Sequence, residues 1–374
     1  MRMKSIPRQS NFELLRIFAM FMIICGHYIY NSGITDCIDL GHPTLRSTSL
    51  RMWGMWGKAC INVFVLLTGY FMCQSKTSVL RHFIKLLFEV LFYGWIVGVF
   101  LMVIGAEPAS LTTIAKRLFR PNLFININVG FTTAFLWMYP MIPAFNIFIR
   151  STTKRQFFLS IGFLLIMFTG CGTFFNANVF HHVFWYMTVY FIGAAIRLYP
   201  LTWMSNNHIC IPLALFMIVA ALASHAFFDI LAVICGHYVA DGLYGTIDSH
   251  IIFAIGTAIP VFLVFKNLKF AANKWINAIA STCFGVLLIH ADSDAMRTWL
   301  WRKVLDVPSY YTLPAIQLIA LSLAIPALIF IVCAIIDQLR ISYIEKPFLN
   351  KLFSGRIFLK TESFFKTFDS APVS

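Results

Sequence analysis

Ten long apolar stretches follow one another along this chain, and they limit what it can fold into. A helix needs about 20 apolar residues to cross a hydrocarbon core of about 30 Å. Helices suit such segments because every backbone polar group must be bonded internally within lipid. With 59% hydrophobic and 12% charged residues, the chain has more apolar surface than a water-soluble domain buries. The sequence therefore predicts an all-α, polytopic transmembrane helix bundle.

The predicted bundle has about ten spans, joined by turn-rich connections such as 31–57 and 105–130. The spans are predicted over 12–31, 59–73, 83–104, 131–149, 156–175, 183–199, 209–229, 249–265, 276–291 and 312–335. The first follows the basic segment Met1–Arg8 without a small-residue cleavage site, so we expect it to be retained rather than removed as a signal peptide. We predict one transmembrane domain over 1–340 and a short basic cytoplasmic tail over 341–374.

Lysine and arginine are distributed unevenly between the two sides of the predicted membrane. If the amino terminus is cytoplasmic, 19 of the 29 lie on the cytoplasmic side and 9 on the outer side, with Arg16 inside the first span. The positive-inside rule then predicts that both termini are cytoplasmic. The net charge of +14 is scattered over the ends of the spans rather than gathered in one stripe, which argues against a nucleic-acid partner. Membrane lipids are the expected surroundings.

The first span contains two ionisable side chains on one face. Arg16 and His27 are eleven residues apart, about 20° past three helical turns. Glu13 precedes Arg16 by three residues, close enough to pair with it. An ionised group near the bilayer centre costs at least ~2.5–3.5 kcal/mol, so this face is predicted to line the protein interior or a wet cavity. The alternative is that Arg16 extends to the lipid headgroups and His27 bonds to a neighbouring helix.

Further motifs accompany this pair along most of the chain. The first is Asn11-Phe-Glu-Leu-Leu-Arg16 followed by ten residues and His27. The others are INVFVLLTGYFM (61–72), RHFIKLLFEVLFYG (81–94), TTAFLWMYPMIPAFN (132–146), FWYMTVYFIGAAIRLY (184–199) and FKNLKFAANKWINAIASTCFGVLLIH (265–290). Together they resemble acyltransferase family 3, the integral-membrane acyltransferases that acylate sugars outside the cytoplasm. Thr68 stands where serine is usual, and Leu287 replaces a common tyrosine, which removes any role for a phenol there.

The resemblance implies an enzyme, a membrane O-acetyltransferase of surface polysaccharides. Such an enzyme takes an acetyl group from cytoplasmic acetyl-CoA, its co-substrate, and delivers it to a hydroxyl of an extracytoplasmic polysaccharide or of its lipid-linked precursor. The domain over 1–340 would be the acyltransferase domain, in the inner (cytoplasmic) membrane as a multi-pass protein. No metal is expected, because the chain has neither a C-x-x-C pair nor a zinc-spaced His/Cys cluster. A homo-oligomer is compatible with the pattern.

The resemblance also implies roles on the donor side. His27 is the predicted catalytic base that removes the hydroxyl proton, with an acyl-histidine intermediate as the alternative. Arg16 is expected to serve the CoA portion of the donor, and Glu13 to balance or orient it. Arg81 and Lys85 are predicted to bind the donor phosphates, although the family usually carries two arginines three apart here. The alternative is that both are ordinary positive anchors at the membrane surface.

The acceptor is expected to meet a second set of residues, near the outer ends of the spans. The predicted acceptor-binding residues are His290, Trp185, Tyr190 and Lys58. Each has a structural alternative. His290 can end a helix as a cap, while tryptophan and tyrosine are enriched at membrane interfaces without binding a ligand.

Two other classes of membrane protein remain as alternatives. A polytopic transporter or channel would use buried ionisable residues to line a path, but it would more often show repeated halves and broken helices near the midplane. A polymerase or glycosyltransferase acting on lipid-linked sugars would need a large, charged outer loop. The longest outer connections here, 32–58 and 105–130, are modest and poor in carboxylates.

Overall fold

The structure, a computed structural model, describes residues 9–75, 78–120, 122–125, 130–175, 181–239 and 243–369. The chain is 82% helical, and the described ranges contain no strand. The prediction of an all-α bundle is therefore confirmed. The segment Met1–Arg8, Lys76 and the end of the predicted tail over 370–374 lie outside the described residues.

The helices follow in chain order. They are α1 (Ser10–Tyr30), α2 (Leu45–Gly54), α3 (Gly57–Met72), α4 (Val79–Val103), α5 (Leu111–Phe119), α6 (Asn122–Ile125), α7 (Gly130–Ser151), α8 (Lys154–Leu165), α9 (Cys171–Phe174), α10 (His182–Leu198), α11 (Asn207–Cys235), α12 (Ile252–Lys266), α13 (Lys274–Ala280), α14 (Cys283–Ala291), α15 (Asp294–Arg297), α16 (Ala315–Arg340), α17 (Lys346–Ser354) and α18 (Arg356–Asp369). Wider turns of π-helix over 166–170 and 341–345 join α8 to α9 and α16 to α17.

Each of the ten predicted spans coincides with one or two of these helices. In the described part of the chain, eight helical segments are long and apolar enough to cross a membrane, and α12 is a shorter apolar helix. The connections predicted as turn-rich are more regular than expected. Helix α2 lies within 31–57, and α5 and α6 lie within 105–130.

Helix α1 lies at the centre of the bundle. It packs against α2, α3, α12, α13, α14 and α16, and residues such as Leu15, Ile24 and Ile29 are fully buried. At its first turn Ser10 donates to Asn277 Oδ1 at 2.8 Å, and Asn11 donates to the Lys266 carbonyl at 3.1 Å. We call the end of the bundle that holds Ser10 the inner end and the opposite end, which holds Tyr30, the outer end.

Candidate active site

Two histidines from different helices meet in the outer half of the bundle. His27 Nδ1 lies 2.9 Å from His290 Nε2, although the residues are 263 positions apart in the chain. His290 Nδ1 lies 2.6 Å from the backbone oxygen of Val286, one helical turn earlier in α14. His290 is fully buried, whereas His27 is half-buried. His27 is therefore the member of the pair that a ligand can reach.

The hydrogen bonds determine where the protons lie when both rings are neutral. A carbonyl oxygen only accepts, so His290 Nδ1 must carry a proton and donate to Val286. His290 Nε2 then holds a lone pair and accepts a hydrogen bond from His27 Nδ1–H. The remaining nitrogen of His27, Nε2, is left with a lone pair. The arrangement thus presents an unprotonated imidazole nitrogen of the kind that acts as a general base.

The position of His27 depends on close packing between α1 and the start of α3. A Cβ built on Gly26 would lie 3.0 Å from the Gly54 carbonyl oxygen and 3.6 Å from the Gly57 Cα. Glycine is needed at position 26 because that approach leaves almost no room for a side chain. The next residues of the two helices, His27 and Lys58, become neighbours, and the Lys58 ammonium acts electrostatically on His27.

At the outer end, close to His27, an ion pair connects α3 to the loop before α12. Lys58 Nζ lies 3.3 Å from Asp248 Oδ1, and the Lys58 and Asp248 side chains are 45% and 32% exposed. Burial raises the pKa of the Asp248 carboxyl, but Lys58 and the backbone N–H of Ser249 outweigh that effect and hold the pKa below its ordinary value. Asp248 is therefore ionised near neutral pH.

A second buried ion cluster lies just beyond His290. The Asp292 side chain has no exposed surface and pairs with Arg117 at 2.5 Å and with Arg120 at 2.9 Å. Arg120 also donates to the Val90 carbonyl at 2.9 Å, so it connects α4 to the segment after α14. A Cβ on Gly94 would overlap the Arg120 guanidinium. Glycine at position 94 therefore leaves the space through which this arginine reaches Asp292.

Arg16 and Glu13 form the predicted pair in the inner half of α1. Arg16 Nη1 lies 3.3 Å from Glu13 Oε2, with side-chain exposures of 35% and 9%. Arg16 acts electrostatically on His82 of α4, Tyr139 of α7 and Cys283 of α14. The guanidinium thus lies close to these three helices, and 35% of the Arg16 side chain stays exposed.

Two apolar side chains lie on the α1 face between the predicted donor and catalytic residues. Met20 and Ile23 are four and seven positions after Arg16, which places them within about 40° of its direction on the helix. They are 1% and 3% exposed. The buried side chains of Met20 and Ile23 therefore separate Arg16 from His27 along the face of α1 that the two residues share.

Arg81 and Lys85 both have carboxylate partners from the chain that follows α16. Arg81 contacts Glu362 through two bonds, Nε to Oε1 at 2.5 Å and Nη2 to Oε2 at 2.7 Å. Lys85 Nζ lies 3.0 Å from Glu345 Oε1. The predicted phosphate-binding cations are therefore occupied by internal pairs, and a donor phosphate would have to compete with these carboxylates.

Sequence reasoning missed a deeply buried group of charges at the inner end. Arg340, the last residue of α16, is 3% exposed and is surrounded by three carboxylates. It pairs with Asp337 at 2.6 Å, with Glu345 at 2.5 Å and with Glu89 at 3.0 Å. A signal was present in the sequence, because Glu89 and Asp337 are acids next to or inside apolar runs.

A similar cluster at the outer end was also missed. Arg51 of α2 is 3% exposed and pairs with Asp229 of α11 at 2.6 Å. Tyr244 donates to the other Asp229 oxygen at 2.7 Å, and Thr48 donates to the same carboxylate. In the sequence, Arg51 is recognisable only as one of the nine outer-side lysines and arginines. The lone aspartate near the end of an apolar span was the signal that could have identified the pair.

The three aromatic and histidine residues predicted to bind the acceptor lie inside the core. Trp185 and Tyr190 have no exposed surface, and their polar atoms bond to Asn62 at 2.9 Å and Asn146 at 2.8 Å. A sugar cannot stack on rings that are packed on every side. Both nitrogens of His290 are likewise bonded within the protein. Of the four predicted acceptor-binding residues, Lys58 alone is exposed at the outer end.

These features describe a multi-pass helical membrane protein that holds an oriented histidine base between charged groups at its two ends. A family model described as an acyltransferase domain matches residues 9–337. The chain belongs to this family, acyltransferase family 3, and it is a membrane acyltransferase. No curated protein and no solved structure matches it. Within the described residues, no group of three or more His, Cys, Asp or Glu could hold a metal ion.

Proposed function

We propose that the protein is an O-acetyltransferase that uses acetyl-CoA at the inner end and acetylates a hydroxyl of a surface polysaccharide, or of its lipid-linked precursor, at the outer end. The proposal includes an inner-membrane location with both termini in the cytoplasm, and a tail that begins near residue 341. Its main support is the lone pair on His27 Nε2, held in place by His290, in a chain of the acyltransferase family. An oriented, neutral imidazole suits the transfer of an acyl group to a hydroxyl.

The proposed reaction is a direct transfer from thioester to alcohol. The acceptor oxygen attacks the thioester carbonyl carbon while His27 Nε2 takes the hydroxyl proton. The C–S bond then breaks, the ester remains on the acceptor, and the imidazolium returns its proton to the departing thiolate. An ordinary thiol has a pKa of about 8.5, so this leaving group needs little further assistance. His290 is a positioning residue because it acts only through His27.

On the donor side, we propose that Arg16 receives the CoA portion and that Glu13 keeps the guanidinium oriented. Eleven residues of helix separate Arg16 from His27 by about 16 Å, a distance that the long pantetheine arm of CoA can bridge. Met20 and Ile23 must then rotate aside when the acetyl group passes. Arg81 and Lys85 would join the donor site when phosphates displace Glu362 and Glu345.

The experiment that tests the proposal uses membranes containing the wild-type protein and acetyl-CoA labelled in the acetyl group. We expect label in the polysaccharide fraction, released by mild alkali as acetate, and an equal amount of free CoA. A transporter would leave the donor intact. His27→Ala should remove the transfer, while His42→Ala, a matched change at an exposed histidine of the outer end, should not. Unchanged transfer in His27→Ala would refute the catalytic assignment.

A further inference from the structure

The loop before α12 holds an acidic side chain at the outer end, close to the catalytic histidine. Asp248 lies opposite Lys58, with 3.3 Å between the carboxylate and the ammonium, and both side chains are partly exposed. Lys58 in turn neighbours His27 through the Gly26 contact and acts on it electrostatically. The ion pair therefore lies beside His27 at the outer end.

Several buried hydrogen bonds fix the loop that carries Asp248. Asn62 Nδ2 of α3 donates to the Ser249 carbonyl at 2.7 Å, and Asn62 Oδ1 accepts from Trp185 Nε1 of α10 at 2.9 Å. Thr246 donates to the Met55 carbonyl at 2.5 Å. Asp248 itself accepts from the Ser249 N–H at 2.6 Å. The carboxylate is thus held in one place by groups that belong to the core.

The stability of the fold does not by itself explain an ion pair that is held in a fixed position and is also partly exposed to solvent. Exposed ion pairs contribute about 0–1 kcal/mol, because solvent screens them. A rigid, half-exposed carboxylate beside an ammonium does suit ligand binding, since neither group must be ordered or fully desolvated when the ligand arrives. The carboxylate accepts hydrogen bonds from hydroxyl groups, and the ammonium donates to hydroxyl oxygens.

We propose that Asp248 and Lys58 bind two neighbouring hydroxyl groups of the acceptor sugar and so present a third hydroxyl to His27. This inference rests on the proposed function, and it adds a substrate-binding residue, Asp248, and a class of acceptor. A carboxylate that accepts beside an ammonium that donates fits a sugar unit with two free vicinal hydroxyls. His250 Nδ1 lies 3.9 Å from the second Asp248 oxygen, so that oxygen also faces a ring nitrogen of the protein.

The test measures initial rates with purified protein in detergent, using as acceptor the cell's own surface polysaccharide after mild-alkali deacetylation. Asp248→Asn should raise the KM for this acceptor about tenfold or more, the size expected for losing a hydrogen bond to a charged group. The KM for acetyl-CoA should not change. Lys58→Met should act in the same direction, and Lys58→Arg should restore part of the loss.

The matched control is Asp39→Asn, which neutralises another aspartate at the outer end, one that contacts His42 at 3.1 Å in an exposed pair. It should leave both KM values unchanged. An unaltered acceptor KM in Asp248→Asn and in Lys58→Met, with the wild type active, would overturn this inference alone. Failure of the proposed function would look different, since the wild type would then transfer no label from acetyl-CoA to the polysaccharide.

Discussion

The protonation of His27 depends on one backbone oxygen, Val286 O, which begins a chain of two hydrogen bonds through His290 to His27. Val286 O accepts a hydrogen bond from His290 Nδ1–H, and this bond leaves His290 Nε2 able to accept from His27 Nδ1–H. Without that acceptor, His27 could place its proton on either nitrogen, and the reactive lone pair would be available only part of the time. His290 has the role that carboxylates have in many histidine-based sites, but it introduces no negative charge into the membrane interior.

Substitutions at position 290 test this chain of two hydrogen bonds. We expect His290→Ala to lower kcat strongly, within the ~10²–10⁴-fold that a general base contributes. His290→Gln should retain more activity, because an amide oxygen can accept from His27 Nδ1–H. The measurement is kcat for both variants at saturating donor and acceptor, with His27→Ala as the lower limit. Full activity in His290→Ala would mean that the contact with His27 has no part in the reaction.

Arg16 allows a second test at the scale of one residue. Arg16→Ala should raise the dissociation constant of acetyl-CoA and leave that of the acceptor nearly unchanged, because the guanidinium lies in the inner half of α1. Titration of the detergent-purified protein with each substrate separates the two effects. The matched change is Arg46→Ala, which removes an arginine bonded to the Tyr311 carbonyl. Equal weakening of both substrates in Arg16→Ala would indicate a structural role for the pair with Glu13.

Helix α4 and the end of α14 are held together by α5, a nine-residue helix that is too short to cross the membrane. Arg117 and Arg120, at the end of α5, pass along α4 and pair with Asp292, just beyond the end of α14. This contact connects α4 to the segment that follows α14. It needs Gly94, because a side chain at that position would occupy the space of the Arg120 guanidinium.

Gly94→Leu should therefore displace Arg120 and leave Asp292 buried with one partner fewer. We expect a lower melting temperature of the purified protein and a loss of acetyl transfer, since a buried carboxylate that loses a partner is costly. Gly162→Leu is the matched control: it lies in a helix, and a Cβ there has no atom within 4 Å. If both variants melt at the wild-type temperature, the close approach at Gly94 is not required.

The sequence was sufficient to locate the helices that carry long apolar runs. Helix α1 and its Arg16 and His27 were predictable because the lengths of apolar runs and the 3.6-residue period are local properties. The contact between His27 and His290 was not, since it joins residues 263 positions apart. Helices α2 and α5 were missed because their sequences are polar and short, and tertiary contacts stabilise them. The burial of Trp185 was missed because interface and core aromatics look alike in sequence.

For the whole molecule, buried charges lie at both ends of the bundle and enclose an apolar middle. Arg340 with its three carboxylates ties α4 and α16 at the inner end, while Arg51 with Asp229 ties α2 and α11 at the outer end. Such clusters are costly to bury and strongly destabilising to break, by about 3–5 kcal/mol when one partner is removed. They hold the helices in register around α1, which the proposed reaction at His27 requires.

That arrangement serves the proposed reaction only if the inner and outer ends face opposite sides of the membrane. Cys37, an exposed free cysteine at the outer end, allows a direct measurement once Cys235, which is also exposed, is replaced by serine. In that Cys235→Ser background, a membrane-impermeant maleimide should label Cys37 in right-side-out vesicles and not in sealed inside-out vesicles. Lys360→Cys in a background with both Cys37→Ser and Cys235→Ser places the reporter on an exposed position of α18 and should give the reverse pattern. Labelling of both sites from the same side would contradict an even number of crossings between the two ends of the chain, and with it the delivery of a cytoplasmic acetyl group to an outer acceptor.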